Sequence, residues 1–328
     1  MMTVLSAIFR FMWIFICSGW IISSTYAQLA IKADDVVNTI NQHSELKVYP
    51  VRKNIFLVID PAGGTNVTVQ IGDEGALVVD SGSSEKAESF LEVIRQLTAK
   101  PIRFLLNTNS DPAYAGGNVL LASVGRGYAS TSRDDDSRVD GIAHENALLN
   151  MVFDNRFEGA PNLAFINTKQ SIFFNGETVE LRHQPAATES GNSIVFFRSS
   201  DVLSTGPIFL TTSYPDINLD LGGSINGLID GLNGIIDITN TQKNQEGGTL
   251  VISGEGGVTD EAGGVEYRDM LTVIRDRIRY YMAQGMNLEE VQAERPTFDY
   301  DPRYATVSGF SEASRFVETI YRSLEAGE

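Results

Sequence analysis

The chain has 328 residues, 42% hydrophobic and 20% charged, which suits one large domain or two small ones with a sizeable core and excludes intrinsic disorder. Its 25 Lys and Arg against 42 Asp and Glu give a formal net charge of −17, a surface that repels phosphate backbones and excludes nucleic acid as an expected partner. The only cysteine, Cys17, sits near the N-terminus.

Met1 to Ala27 reads as a secretory signal: Arg10, an apolar run from Phe11 to Ile22, then small residues at the cleavage positions of Ser23-Ser-Thr-Tyr-Ala27. Cleavage after Ala27 is expected, leaving residues 28–328 as a single exported domain, periplasmic or extracellular and free of the membrane. The alternative is an uncleaved anchor, for which the apolar run falls short of the roughly 20 residues that span a bilayer. Loss of Cys17 with the signal leaves no cysteine, so disulfides, thiolate ligands and a cysteine nucleophile are excluded.

Strands are predicted at Ile55–Ile59, Val67–Ile71 and Ala76–Val79, punctuated by Gly-Gly and Gly-Asp-Glu-Gly. Ala87, Phe90, Leu91, Ile94 and Leu97 recur at helical spacing, predicting a helix over 85–99 with Ser83 or Ser84 as its cap. Pro101 ends it and Ile102–Leu106 follows as a buried strand. A second half repeats the pattern, with strands near Ser171–Phe174, Val179–Leu181, Ile194–Phe197 and Val202–Leu203, a helix opened by Ser224, and a strand at Thr249–Ile252. The last sixty or so residues are predicted helical, broken near Pro296 and Pro302. Two such halves imply layered sheets with helices outside.

Several stretches in order carry a family likeness: Gly72-Asp-Glu-Gly-Ala-Leu-Val-Val-Asp80-Ser-Gly, Pro101-Ile-Arg-Phe-Leu-Leu-Asn-Thr108, Ala115-Gly-Gly-Asn118, Ala143-His-Glu-Asn146, Ser193-Ile-Val-Phe-Phe197, Gly222-Gly-Ser-Ile-Asn-Gly227 and Glu266-Tyr-Arg-Asp-Met-Leu271. Over about Val51 to Leu324 the chain resembles the metallo-β-lactamase superfamily, in particular its exported bacterial members with a helical C-terminal end. The resemblance implies an α/β fold, a four-layer αβ/βα sandwich with extra C-terminal helices, and a metal site at one edge of the facing sheets. There zinc would lower the pKa of a bound water and polarise the scissile bond.

The frame of the first ligand loop stands between Thr108 and Gly116-Gly117, but Asn109, Asp111, Ala113 and Tyr114 occupy its ligand positions. Ala187 stands where the next histidine is expected, Pro207 where the bridging aspartate is, and Glu255 where the last histidine is. Asp80 matches the residue that orients a metal-bound histidine, and without that histidine it is expected to brace the loop backbone. No imidazole is left in the ligand set, so no cofactor is expected and zinc least of all.

The leading expectation is therefore a non-catalytic pseudoenzyme that binds a small molecule or a protein partner in the old pocket. The alternative is a hydrolase of an ester, lactam or related bond with a rewired site around Asp111, Tyr114, His183 and Glu255. In that case Asp111 and Glu255, with Asp80, Glu189 and Asn192 near them, would suit Ca²⁺ or Mg²⁺, or the site would run acid–base chemistry without metal. Ser224 within Gly223-Ser-Ile-Asn-Gly227 is expected to cap a helix rather than act as a nucleophile. Asp134-Asp-Asp136 reads as an exposed acidic loop, with ion binding as its alternative.

Overall fold

In the computed structural model, residues 35–127, 138–240, 247–305 and 310–327 are described. The secretory-signal reading and Asp134–Asp136 lie outside them. Two sheets carry the architecture. The first runs in the order β1 (Lys47–Arg52), β2 (Ile55–Ile59), β3 (Val67–Gly72), β4 (Gly75–Val79), β5 (Ile102–Leu106), β6 (Asp140–His144) and β7 (Leu163–Phe165). It is antiparallel through β4 and parallel from β4 to β7.

The second sheet contains β8 (Lys169–Phe174), β9 (Glu177–His183), β10 (Ser193–Phe197), β11 (Val202–Ser204), β12 (Leu250–Ile252) and β13 (Val258–Thr259), in spatial order β13-β12-β11-β10-β9-β8. Only β11 and β12 pair in parallel.

The period-2 alternation of the strands separates the side chains into three apolar layers. Along β4, Ala76 and Val78 point into one cluster while Leu77 and Val79 point into another; along β2, Phe56 and Val58 part from Ile55 and Leu57 in the same way. The outer cluster packs against helix α1 (residues 35–43), α2 (Ala87–Leu97) and α4 (Asn118–Val124), through Val37, Ile40, Phe90, Leu91, Ile94 and Leu121. The middle cluster lies between the sheets, where Leu57, Leu77 and Leu106 meet Val179, Leu181, Val195 and Phe197.

On the far side of the second sheet, Ile194, Leu203 and Val251 pack against the helices that follow. Those helices supply Leu228 and Leu232 of α6 (Ile225–Thr239), Met270 and Ile274 of α7 (Glu261–Ala283), and Phe316 and Ile320 of α10 (Phe310–Glu325). Helices, sheet, sheet, helices: the four-layer sandwich with added C-terminal helices is the observed fold. The short helices α3 (Pro112–Ala115), α5 (Glu145–Phe153), α8 (Leu288–Ala293) and α9 (Asp301–Tyr304) complete it. No described helix is long and apolar enough to cross a membrane.

Ser224 caps α6 as expected, its Oγ accepting from Gly227 N at 2.9 Å. Neither Ser83 nor Ser84 caps α2: a 3₁₀ turn, Ser84–Lys86, comes first, and the helix proper starts at Ala87 without a side-chain cap. Strands β1, β6 and β7 and helix α5 go beyond the elements read from the sequence.

The inter-sheet layer makes a direct forecast. Leu77 has no exposed surface, so Leu77→Ala should lower unfolding free energy by about 2–5 kcal/mol, read as a lower urea midpoint at unchanged m-value. A loss under about 1 kcal/mol would contradict a packed middle layer.

Candidate functional site

The chain ends of β4, β5, β9, β11 and β12 feed loops that meet at one edge of the sandwich, around a cavity of about 630 Å³. The loop after β5 is central and is held from both sides. Asp80, just past β4 and in the left-handed region at φ 60°, accepts from Thr108 N and from Thr108 Oγ1, each at 2.8 Å. Glu189, in the loop after β9, accepts from Ser110 N at 2.9 Å and from Ser110 Oγ at 2.6 Å. Each buried carboxyl thus meets an N–H and an O–H from one residue, an arrangement that offsets part of its desolvation.

Further bonds tighten the same knot. Ser193 N donates to Thr108 O at 2.7 Å, and Asn192 Oδ1 accepts from Glu189 N at 2.7 Å and Thr188 Oγ1 at 3.0 Å. Gly206, at φ 53°, lies so close that a Cβ there would sit 2.2 Å from Thr108 Oγ1. Gly254 is pressed as tightly, with a would-be Cβ 2.2 Å from Gly206 O and 2.7 Å from Tyr114 Oη. Only glycine fits at these crossings.

Six of the seven positions that the resemblance assigns to metal ligands line the cavity: Asn109, Asp111, Ala113, Tyr114, Pro207 and Glu255. The seventh, Ala187, is fully buried beneath α6, where a Cβ at Gly231 would stand 3.6 Å from it. Asp111 is the N-cap of α3, with Pro112 in the first turn behind it, and its Oδ1 accepts from Ala113 N at 2.7 Å. Burial first, and then the charges of Glu255, Asp80 and Asp111, push the Tyr114 phenol well above its usual range, so it stays neutral. Glu255 accepts from Ser213 Oγ at 2.9 Å. Its carboxyl is raised by burial, against the Ser213 bond and with Glu312 and Asp111 pushing the same way.

These residues do not fit a zinc ion. Ala113, Ala187 and Pro207 have no side-chain donor, Asn109 and Tyr114 are neutral, and both remaining carboxylates hold the loops as well. Among the described residues no group of three His, Cys, Asp or Glu side chains is placed to hold a metal. The neighbouring oxygen-bearing side chains of Asp80, Glu189 and Asn192 are turned to loop bonds.

His183 does not line the cavity. Its ring stacks on His144 with centroids 3.5 Å apart and planes 5° apart, joining the end of β9 to the end of β6, and its Nε2 lies 2.8 Å from Ser190 O. Burial, with the neighbouring His183, lowers the His144 pKa to about 4, and its Nδ1 accepts from Asn146 N at 3.3 Å. His43 lies at the end of α1, apart from these loops.

Sequence reasoning missed the Ser110–Glu189 pair and the outer wall of the cavity. That wall includes Arg156, whose Nη2 donates to Ser110 O at 2.5 Å, and Arg315, Glu318, Thr319 and Arg322 of α10. The apolar stripe of α10 already placed these four on its opposite face, but nothing in the pattern says what that face overlooks.

Burial raises the Asp80 carboxyl from 3.8 to about 7, against the two Thr108 bonds. Between those values the folded protein binds more protons than the unfolded chain, so this stabilisation is full below the lower value and is lost as pH rises through about 7. His144 has the opposite sign, costing stability as pH falls from 6.5 toward about 4. A single substitution separates them: relative to wild type, Asp80→Asn should gain stability from pH 5 to about pH 7 and level off above it in urea titrations. A pH-independent difference between the two proteins would contradict the burial of an ionising carboxyl at this position.

A sequence profile of the metallo-beta-lactamase superfamily matches residues 60–254. No curated protein sequence matches the chain. Among solved structures, the fold is similar to a double mutant of the sec-alkyl sulfatase PisA1, with TM-score 0.63 and 16% identity over 86% of this chain and 51% of that one. It is similar also to a metallo-beta-lactamase from Pontibacter korlensis (TM-score 0.55, 14% identity, 69% of this chain and 99% of that one). The DIM-1 metallo-beta-lactamase gives TM-score 0.53 at 16% identity, over 70% and 97% of the two chains. At these identities the likeness is one of fold, and the chain spans about half the length of the sulfatase. With more than half of its length under the profile and all four layers in place, the chain belongs to the metallo-beta-lactamase superfamily.

Proposed function

We propose that this chain is a binding protein without zinc-dependent hydrolysis, which keeps the cavity at its family's metal edge to hold a small molecule or a segment of a protein partner. The observation that supports this best is the joint fate of the seven ligand positions. A catalytic zinc takes at least three protein ligands; here three positions lack a donor, two are neutral, and Asp111 and Glu255 already accept from Ala113 N and Ser213 Oγ. The cavity, at about 630 Å³, is of the size that takes small ligands.

The competing reading is a hydrolase that works through Asp111, Tyr114, His183 and Glu255. Its support is the raised Glu255 carboxyl in a cleft shared with Asp111 and Tyr114, a setting suited to acid–base work. Against it, His183 is stacked behind the loop with its Nε2 against Ser190 O.

The test is metal content by mass spectrometry after incubation with excess Zn²⁺, Mn²⁺ or Ca²⁺ and desalting, followed by ester and lactam turnover. No stoichiometric ion and no turnover are expected. Stoichiometric zinc with turnover overturns the binding reading, and metal-free turnover abolished by Asp111→Ala establishes the competing one.

We propose also that the chain acts outside the cytoplasm, from the apolar run and small residues of Met1–Ala27. N-terminal sequencing of protein recovered after export should begin at Gln28; a retained Met1 would contradict cleavage.

A further inference from the structure

Strand β8 ends the second sheet, paired with β9 on one side and with no strand on the other among the described residues. Its alternation sorts its side chains between two faces. Ile172 and Phe174 turn toward the middle layer, as do Val179 and Leu181 of β9. Lys169, Ser171 and Phe173 therefore face outward, in register with Arg182, Glu180 and Thr178 of β9. The far-layer helices pack on Ile194 and Phe196 of β10, while Lys169, Ser171 and Phe173 stay exposed, Phe173 at 69%. Ile172 is only half-buried, so the middle layer is open at this edge as well.

The charge on this uncovered face is opposite to that of the chain. Glu180, with 2% of its side chain exposed, pairs with Lys169 at 3.1 Å, Arg182 at 2.8 Å and Arg198 at 3.3 Å. One carboxylate does not balance three cations, and among the described residues none of the three forms a second ion pair. The face thus keeps a local positive surplus on a chain of net charge −17. Screening over about 8 Å at physiological ionic strength means that a docking segment meets these nearby cations rather than the distant acids.

An unpaired edge strand is a template for one more strand. Its side chains define the chemistry of that strand. A second copy of β8 would bring one basic face beside another, which disfavours self-pairing. An acidic strand instead meets cations on the outer face, while its alternate apolar side chains extend the middle layer past Ile172. We propose that β8 receives an extended acidic segment of a partner protein, added as a further strand with its carboxylates beside Lys169 and its apolar side chains beside Ile172. None of these residues lines the cavity, so this interaction is separate from cavity binding.

The probes are dye-labelled octapeptides that alternate Val with Asp or Val with Ser, titrated by fluorescence anisotropy into the purified protein at about 0.15 M salt. Two further versions of the acidic peptide carry N-methyl groups on every Val or on every Asp. The acidic peptide is expected to bind saturably, at least about tenfold tighter than the Ser peptide. An added strand turns the N–H groups of alternate residues toward β8, so one N-methylated version should lose at least about tenfold in affinity and the other should keep it. Lys169→Gln, a change to an exposed side chain, should weaken the acidic peptide by about three- to tenfold and leave the Ser peptide unaffected.

Equal affinity of the Asp and Ser peptides overturns the acidic partner, and equal affinity of the two N-methylated versions overturns strand addition. Unchanged affinity in Lys169→Gln overturns the site, and no binding of the acidic peptide overturns the whole proposal. Sedimentation as a dimer that takes up no peptide places a second copy on this edge and overturns it too.

Discussion

The edge of this sandwich depends on two buried carboxylates closing on one loop. Asp80 reaches it from the first sheet through Thr108, and Glu189 reaches it from the loop after β9 of the second sheet through Ser110. A metal ion shared between loops from both sheets would tie the same edge together. Here internal hydrogen bonds do so: the N–H and O–H groups of Thr108 and Ser110 donate to the four carboxyl oxygens of Asp80 and Glu189. Because each carboxylate is buried, losing one donor would leave charge without solvation, a larger penalty than the bond's net worth. The knot is therefore an all-or-none arrangement, and it fixes the loop from Thr108 to Gly117 through protein groups alone.

Ala187, Tyr114 and Pro207 fill space in ways that suit packing. Ala187 leaves room for α6 to press its backbone against the loop after β9, where a Cβ at Gly227 would come within 2.0 Å of Ala186 O. Tyr114 fills the gap between three loops, with its hydroxyl against Gly254 and its backbone O accepting from Ser81 N at 2.7 Å. Pro207 stands in the 3₁₀ turn Gly206–Ile208, whose Ile208 packs into the cluster under α6. At all three positions the side chain adds buried volume to the edge of the sandwich.

Much of the fold was legible in the residues because both sheets are buried on two faces and punctuated by turns. Val67–Ile71 and Ile102–Leu106 are strands as read, and the helix under Ser224 starts where its cap predicts. Strand β6 escaped because Asp140-Gly-Ile-Ala-His144 has little β-branched character and is made a strand by parallel pairing with β5. The α2 boundary was misplaced because Ser83 and Ser84 belong to a preceding 3₁₀ turn. At the site, the ligand positions came from the motif frame, and six of them do share the cavity. The clamp between Ser110 and Glu189 joins residues 79 apart, a pairing that no local pattern encodes.

The C-terminal helix links the cavity to the stability of the far layer. Its inward face docks through Ala313, Phe316, Val317 and Ile320, with Phe316 stacked on Tyr214 at 4.6 Å and Ser323 Oγ accepting from Ile225 N at 3.1 Å. Its opposite face supplies Arg315, Glu318, Thr319 and Arg322 to the cavity wall. Tyr214 also lines that cavity and donates to Asp301 Oδ1 at 3.1 Å, so one ring contacts the helix, the wall and the segment before it. A molecule touching this wall would bind only the docked state of α10, and mass action would then convert its affinity into stability of the helix. Occupancy of the cavity would thus be coupled to C-terminal order, because α10 forms part of its wall.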